Sequence, residues 1–209
     1  MSSYDESFRN GVGELQEYHG FDPYPPRLHI QIPHAREQLQ AGLRFYLGAS
    51  AQWLPCYDEI VEWLTDNHCR GLLCVGDNGL GKTLICQNIL PVLLQQNMRK
   101  IIRSYSAIEM NANLSELLRQ RVISIDDVGT EPLETKVDGI RRIAFSELVD
   151  ASEKKGTLLV VSTNLRTNRG TDKDGNPIPS IYDRYGLRTF DRLRAVMKSV
   201  KFTGKSLRK

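Results

Sequence analysis

No stretch of this chain is long and apolar enough to cross a bilayer. The longest run without a charge, 83–98, is broken by Gln87, Asn88, Pro91, Gln95, Gln96 and Asn97, whereas a span needs ~20 apolar residues. The opening Met1-Ser2-Ser3-Tyr4-Asp5-Glu6 has neither a basic patch nor an apolar stretch, so the pattern of a signal peptide is missing. Cysteine is scarce: four in 209 residues, with no CxxC pair among them. That excludes a disulfide-dense scaffold and leaves His68, Cys69 and Cys74 as a thin alternative for a zinc site. Cys74 and Cys86 lie in apolar surroundings, where reduced core thiols belong. These absences point to a cytoplasmic protein with no membrane partner.

What is present is ordinary for a globular chain: 40% hydrophobic and 25% charged, enough to bury a core without staples. Disorder and a collagen-like fibre are excluded. The net charge of +3 is unevenly spread. Residues 184–209 hold nine basic side chains (Arg184, Arg188, Arg192, Arg194, Lys198, Lys201, Lys205, Arg208, Lys209) against Asp191, a local +8 that leaves −5 for the rest. A basic end attracts phosphate, of a nucleotide or of nucleic acid, or else forms a solvated face.

The chain divides near residue 50. Residues 1–32 are polar and turn-rich, with Gly11, Gly13, Gly20 and Pro23-Tyr24-Pro25-Pro26, and read as an arm with little core of its own. Helical patterns cover 34–47 and 56–66, where Ile60, Val61 and Leu64 share a face. Past Arg70, short runs rich in Val, Ile and Leu predict strands at 71–75, 100–105, 121–126, 157–163 and 195–202. Helices are expected between them at 82–96, 106–119 and 139–154, and a loop at 166–180. Buried strands spaced by helices predict an α/β fold with a five-stranded parallel sheet flanked by helices.

Gly76-Asp77-Asn78-Gly79-Leu80-Gly81-Lys82-Thr83 fits G-x-x-x-x-G-K-[ST], with a strand before it and a helix after. Glycines let successive backbone N–H groups point at phosphate oxygens, and the helix N-terminus adds positive partial charge. Lys82 is suited to the β- and γ-phosphates of ATP, and the Thr83 hydroxyl to Mg²⁺. In Val122-Ile123-Ser124-Ile125-Asp126-Asp127, Asp126 stands where such proteins hold Mg²⁺ through a water. Asp127 is placed to orient or deprotonate the attacking water. Strand 157–163 leads into Asn164, whose amide faces the ligand crevice at the sheet's C-terminal edge. Arg184, Arg188 and Arg192 follow the last crossover loop, and a guanidinium there suits charge on a transferring phosphoryl group, in cis or from a neighbouring subunit.

The ordered set GDNGLGKT, VISIDDVG, VVSTN, RYGLRTFDRL and FTGKSLRK resembles AAA+ ATPases of the DnaC/IstB type, the helicase loaders and transposition helpers. The resemblance spans about residues 71–209. It implies a P-loop NTPase domain over 51–209, with 1–50 as a partner-binding extension. By the same resemblance Asn164 matches sensor 1, Arg192 the arginine finger offered in trans, Arg188 its companion, and Arg208 the sensor 2 arginine. It further implies self-association in the ATP state, contact with single-stranded DNA, and a replicative helicase partner or, for an IstB-like helper, a transposase.

Three departures stand out. Asp127 replaces the Glu of many members and is one methylene shorter, which implies slow hydrolysis or a nucleotide-gated binding module. Only one helix fits between strands 100–105 and 121–126, so the inserted DNA-contacting element is short or missing. The first 50 residues match no known partner-binding domain. A P-loop small-molecule kinase is the reading of a different class; it wants a mobile lid and an acceptor pocket, and the Asp126-Asp127 pair argues against it.

Overall fold

A computed structural model describes residues 3–20, 26–171, 174–204, 206 and 207. Five strands form one sheet: β1 (Gly71–Gly76), β2 (Arg103–Ser106), β3 (Val122–Val128), β6 (Leu158–Thr163) and β7 (Met197–Phe202), in the order β2-β3-β6-β1-β7. Every pairing is parallel. Because side chains alternate across a strand, each strand feeds two cores. Leu72, Cys74, Val160 and Val200 pack toward one face, and Leu73, Val75, Ile123, Ile125, Leu159 and Val161 toward the other.

The first face is covered by α2 (Ala35–Leu47), α3 (Cys56–Thr65) and a helix that opens with a π-turn at Leu84–Ile89 and continues as α4 (Leu90–Met98). The second is covered by α5 (Ala107–Ala112), α6 (Leu114–Leu117), α7 (Ala144–Lys155) and α8 (Ile181–Val196). The α/β parallel architecture expected from the apolar runs is therefore present. The segment between β2 and β3 holds two short pieces broken at Asn113, where one longer helix was expected.

Two further expectations need correction. Residues 139–154 are not helical throughout: β4 (Thr135–Val137) and β5 (Ile140–Arg142) form a hairpin, and α7 starts only at Ala144. The hairpin is short and largely exposed, with little apolar alternation to announce it. The arm 1–32 is also only partly an arm. Ile30 and Ile32 are buried; the Ile30 N–H donates to Asn67 Oδ1 at 2.8 Å and the Ile32 N–H to the Leu64 carbonyl at 2.9 Å. Before it, α1 (Ser3–His19) is a helix over residues whose glycines suggested turns.

Candidate nucleotide site

Strand β1 delivers the chain into the phosphate loop at the sheet's C-terminal edge. Gly76, Gly79 and Gly81 all have positive φ, at 125°, 77° and 87°, a region closed to most L-residues. Space is as restrictive as angle. A Cβ on Gly76 would lie 2.0 Å from the Phe202 carbonyl oxygen, and one on Gly81 2.9 Å from the Tyr57 hydroxyl. The loop is held from below by Tyr57, whose hydroxyl donates to the Leu80 carbonyl at 3.2 Å. Burial pushes that phenol up to about 12. The chain leaves the loop through the π-turn, in which the Leu90 N–H reaches back to the Ile85 carbonyl; such turns recur at functional sites.

Lys82 is 7% exposed. Its Nζ donates to the carbonyls of Gly76 (2.8 Å) and Asp77 (2.7 Å) and to Asn164 Oδ1 (2.9 Å). Burial pulls its pKa below the usual lysine value, with Cys74 and the carboxylates of Asp127, Asp77 and Asp126 opposing that shift. The Thr83 hydroxyl donates to Asp126 Oδ1 at 3.0 Å, and Ser162 Oγ donates to the same oxygen.

Asp127 has a left-handed backbone (φ 57°) at an irregularity in the β3–β6 register between Ile125 and Val128. A bulge re-aims side chains, and two consecutive acids of one strand here serve one site. The Asp127 N–H donates to Ser162 Oγ at 2.9 Å, and Asn164 Nδ2 donates to Asp127 Oδ1 at 2.7 Å. Because β6 lies between β1 and β3, Asn164 sits between the two motifs and its amide joins Lys82 to Asp127. Ser162 and Tyr57 were given no role at the level of sequence. Ser162 stands in the VVSTN motif; nothing around Tyr57 in the sequence signals its contact with the loop.

The arginines lie elsewhere on the molecule, on α8, which is kinked at Gly186 (φ 82°). Arg192 is held by Asp150 and, at 2.8 Å, by Glu153, both on α7; Arg188 lies 3.7 Å from Asp150. Among the described residues, both arginines pair with acids of α7 rather than with the phosphate loop. Arg208 lies outside the described residues, as do Lys205 and Lys209. Its neighbour Leu207 donates its N–H to the Gly79 carbonyl at 3.0 Å, tying this tail to the loop.

Within 184–204 several of the basic side chains are paired with acids. Arg184 pairs with buried Glu131, Arg192 with Asp150 and Glu153, and Lys198 with Glu62 at 2.8 Å. Those ion pairs offset part of the positive charge among the described residues of this segment. Lys201 instead lines a cleft of about 550 Å³ beside the loop, with Asp77, Asn164, Arg166 and Arg169.

The donor set fits the group implied for the site. Thr83 Oγ1 and Asp126 Oδ1 are hard oxygens 3.0 Å apart, the ligand type that Mg²⁺ takes. The backbone of the glycine loop suits a phosphate chain. Among the described residues no helix is long and apolar enough to span a membrane.

No protein-family model matches the chain, and no curated protein does. Solved structures do. The DnaC helicase loader is 14% identical, with 87% of this chain and 95% of that one covered and a TM-score of 0.49. DnaI is 15% identical, with 84% and 86% covered and a TM-score of 0.48. AMPPCP-bound DnaA from Aquifex aeolicus is 14% identical, with 66% and 42% covered and a TM-score of 0.43. These likenesses concern the backbone layout. From its own strand order, glycine loop and paired acids, the chain has the α/β fold of a P-loop NTPase, and its motifs resemble AAA+ ATPases of the DnaC type.

Proposed function

We propose that this protein binds ATP with Mg²⁺ and hydrolyses it to ADP and phosphate. The observation that carries the reading is the continuous link Lys82–Asn164–Asp127. It joins the one loop side chain suited to the β- and γ-phosphates to the carboxylate suited to activating water. A fold that only bound nucleotide would have no need to set the second against the first.

The roles divide by chemistry. The glycine-loop N–H groups and Lys82 bind the phosphates. Thr83 and Asp126 hold Mg²⁺, with Ser162 fixing the Asp126 oxygen; when bound, the ion neutralises charge on the phosphate oxygens. Asp127 receives the proton of the attacking water, while Asn164 keeps its carboxylate aimed. By the motif resemblance Arg192, with Arg188, acts on the nucleotide of a neighbouring copy, exchanging its ion pairs with the acids of α7 for phosphate oxygens. Arg208 contacts nucleotide in cis.

On the strength of the motif resemblance, the wider task is replication initiation: the ATPase acts with a replicative helicase on single-stranded DNA, at a cytoplasmic site. Lys201 and Arg166 beside the loop suit a DNA backbone better than Lys198, which is occupied by Glu62. The N-terminal extension serves recruitment through α1, while α2, packed on the sheet, belongs with the ATPase core. The test is calorimetry on Lys82→Ala. ATP affinity should fall at least tenfold, about 1.4 kcal/mol, with the fold retained; unchanged affinity removes the phosphate-loop assignment.

A further inference from the structure

Asp127 rides on a turn that local sequence alone does not hold. Its own backbone is left-handed, and Gly129 has φ 109°, where an added Cβ would lie 2.7 Å from Leu165 Cδ1. The Thr130 N–H and hydroxyl both point back to the Asp127 carbonyl, at 3.3 and 2.9 Å. A left-handed residue other than glycine persists only where its surroundings over-determine it.

Glu131 supplies much of that determination. Its side chain is 1% exposed. Oε2 accepts the Gly129 N–H at 2.7 Å. Oε1 accepts the Tyr185 hydroxyl and lies 3.6 Å from the Arg184 guanidinium, which also donates to the Glu131 carbonyl. Burial, and next the Glu131 carboxylate, push the Tyr185 phenol far above its usual value, so it remains a donor. The Tyr185 ring is fixed in turn against Phe145 of α7, with centroids 4.8 Å apart. Desolvating a carboxylate offsets most of what an ion pair returns, so stability alone is a poor account of a charge in this place. What the carboxylate adds is direction.

The contacts close a circuit around Asp127. On one side Asn164 Nδ2 donates to its carboxylate. Just beyond Asn164, the Arg166 carbonyl accepts the Ile181 N–H at 2.8 Å and seats the start of α8. One turn into α8, Arg184 and Tyr185 grip Glu131, and Glu131 returns to the turn through Gly129. We propose that Glu131 is a positioning residue for water activation: braced by Arg184 and Tyr185, it holds the 127–130 turn so that Asp127 faces the reacting water. It acts through Asp127 and not on the nucleotide, and the assignment rests on the hydrolysis reading above.

The test compares Glu131→Ala, Glu131→Gln and Tyr185→Phe in the full chain, each verified as folded by circular dichroism at the assay temperature. In Glu131→Ala, kcat should fall about 30-fold, inside the ~100-fold that a 1 Å misplacement costs. ATP affinity should stay within about threefold of wild type, the mark of a contact that matters only in the transition state. Glu131→Gln keeps an oxygen for the Gly129 N–H at the same reach and should restore kcat to within about threefold. Tyr185→Phe removes one brace and should cost about fivefold, which keeps the inference testable if Glu131→Ala does not fold. Amide proton resonances give a second readout: those of Asp127 and Gly129 should shift in Glu131→Ala, and that of Gly129 should return in Glu131→Gln. Unchanged kcat in a folded Glu131→Ala or in Tyr185→Phe, a loss confined to KM, or a glutamine variant as slow as the alanine one would overturn the inference. Wild type that binds ATP without turnover would refute the hydrolysis reading instead. The brace would then stand if the two resonances move as stated, and fall if they do not.

Discussion

Replacing Asn164 by alanine removes the group that stands between the phosphate loop and the acid pair. Asn164 accepts from Lys82 at 2.9 Å and donates to Asp127 at 2.7 Å, so one side chain holds two charged partners. Each such bond to a charged group contributes about 1.5–3 kcal/mol when sheltered, and less here because Asn164 is exposed. The losses fall differently on binding and on turnover. Lys82 keeps the Gly76 and Asp77 carbonyls, so ATP affinity should change by less than about threefold. Asp127 loses one donor to its carboxylate, and kcat should fall about 100-fold, which is about 2.7 kcal/mol of barrier. Asn164→Asp sharpens the point: it restores an acceptor for Lys82 but sets a second carboxylate beside Asp127. That raises the pKa of the pair and should move the acid limb of the pH–rate profile upward. Phosphate release measured against ATP concentration separates the two parameters. An unchanged kcat in both variants, or a loss confined to KM, would refute the positioning role.

Arg192→Ala should bind ATP nearly as well as wild type yet hydrolyse it about 10³-fold more slowly, the scale of an arginine finger. Mixing it with Lys82→Ala should restore some phosphate release, since one subunit then supplies the loop and the other the finger; a dead mixture of co-assembled chains contradicts the trans role. Tyr57, raised by burial from about 10 to about 12, contributes stability that is complete below pH 10 and drains as pH rises through about 12. Tyr57→Phe should therefore lose less stability in urea melts between pH 8 and pH 11.5 than wild type does, and an identical loss would show that this phenol is not a source of it.

The parts legible in sequence are those written in local chemistry. Short runs such as Leu72-Leu73-Cys74-Val75 and Leu159-Val160-Val161 must be buried on both faces, so they announce a covered parallel sheet. The glycine loop announces itself because only glycine tolerates its angles. What stayed hidden depends on contacts distant in the chain. The pairing of Arg192 with Asp150 and Glu153 joins residues about forty apart, and no pattern within α8 foretells it. The bulge that turns Asp126 and Asp127 toward one site arises from the match of β3 to β6, not from either strand alone. Helix α1 was hidden by Gly11 and Gly13, which suggest turns in the sequence. The hairpin β4–β5 has two three-residue strands, too short for alternation to register.

The central claim is that this site hydrolyses ATP, and steady-state phosphate release with and without single-stranded DNA tests it most directly. Wild-type protein should turn over ATP in a Mg²⁺-dependent way, slowly if the short Asp127 side chain limits the step, and more quickly with the DNA present. Lys82→Ala and Asp127→Asn should abolish that release, the second with ATP binding intact. Tight ATP binding with no phosphate release under either condition, or release that persists in Asp127→Asn, would contradict the account.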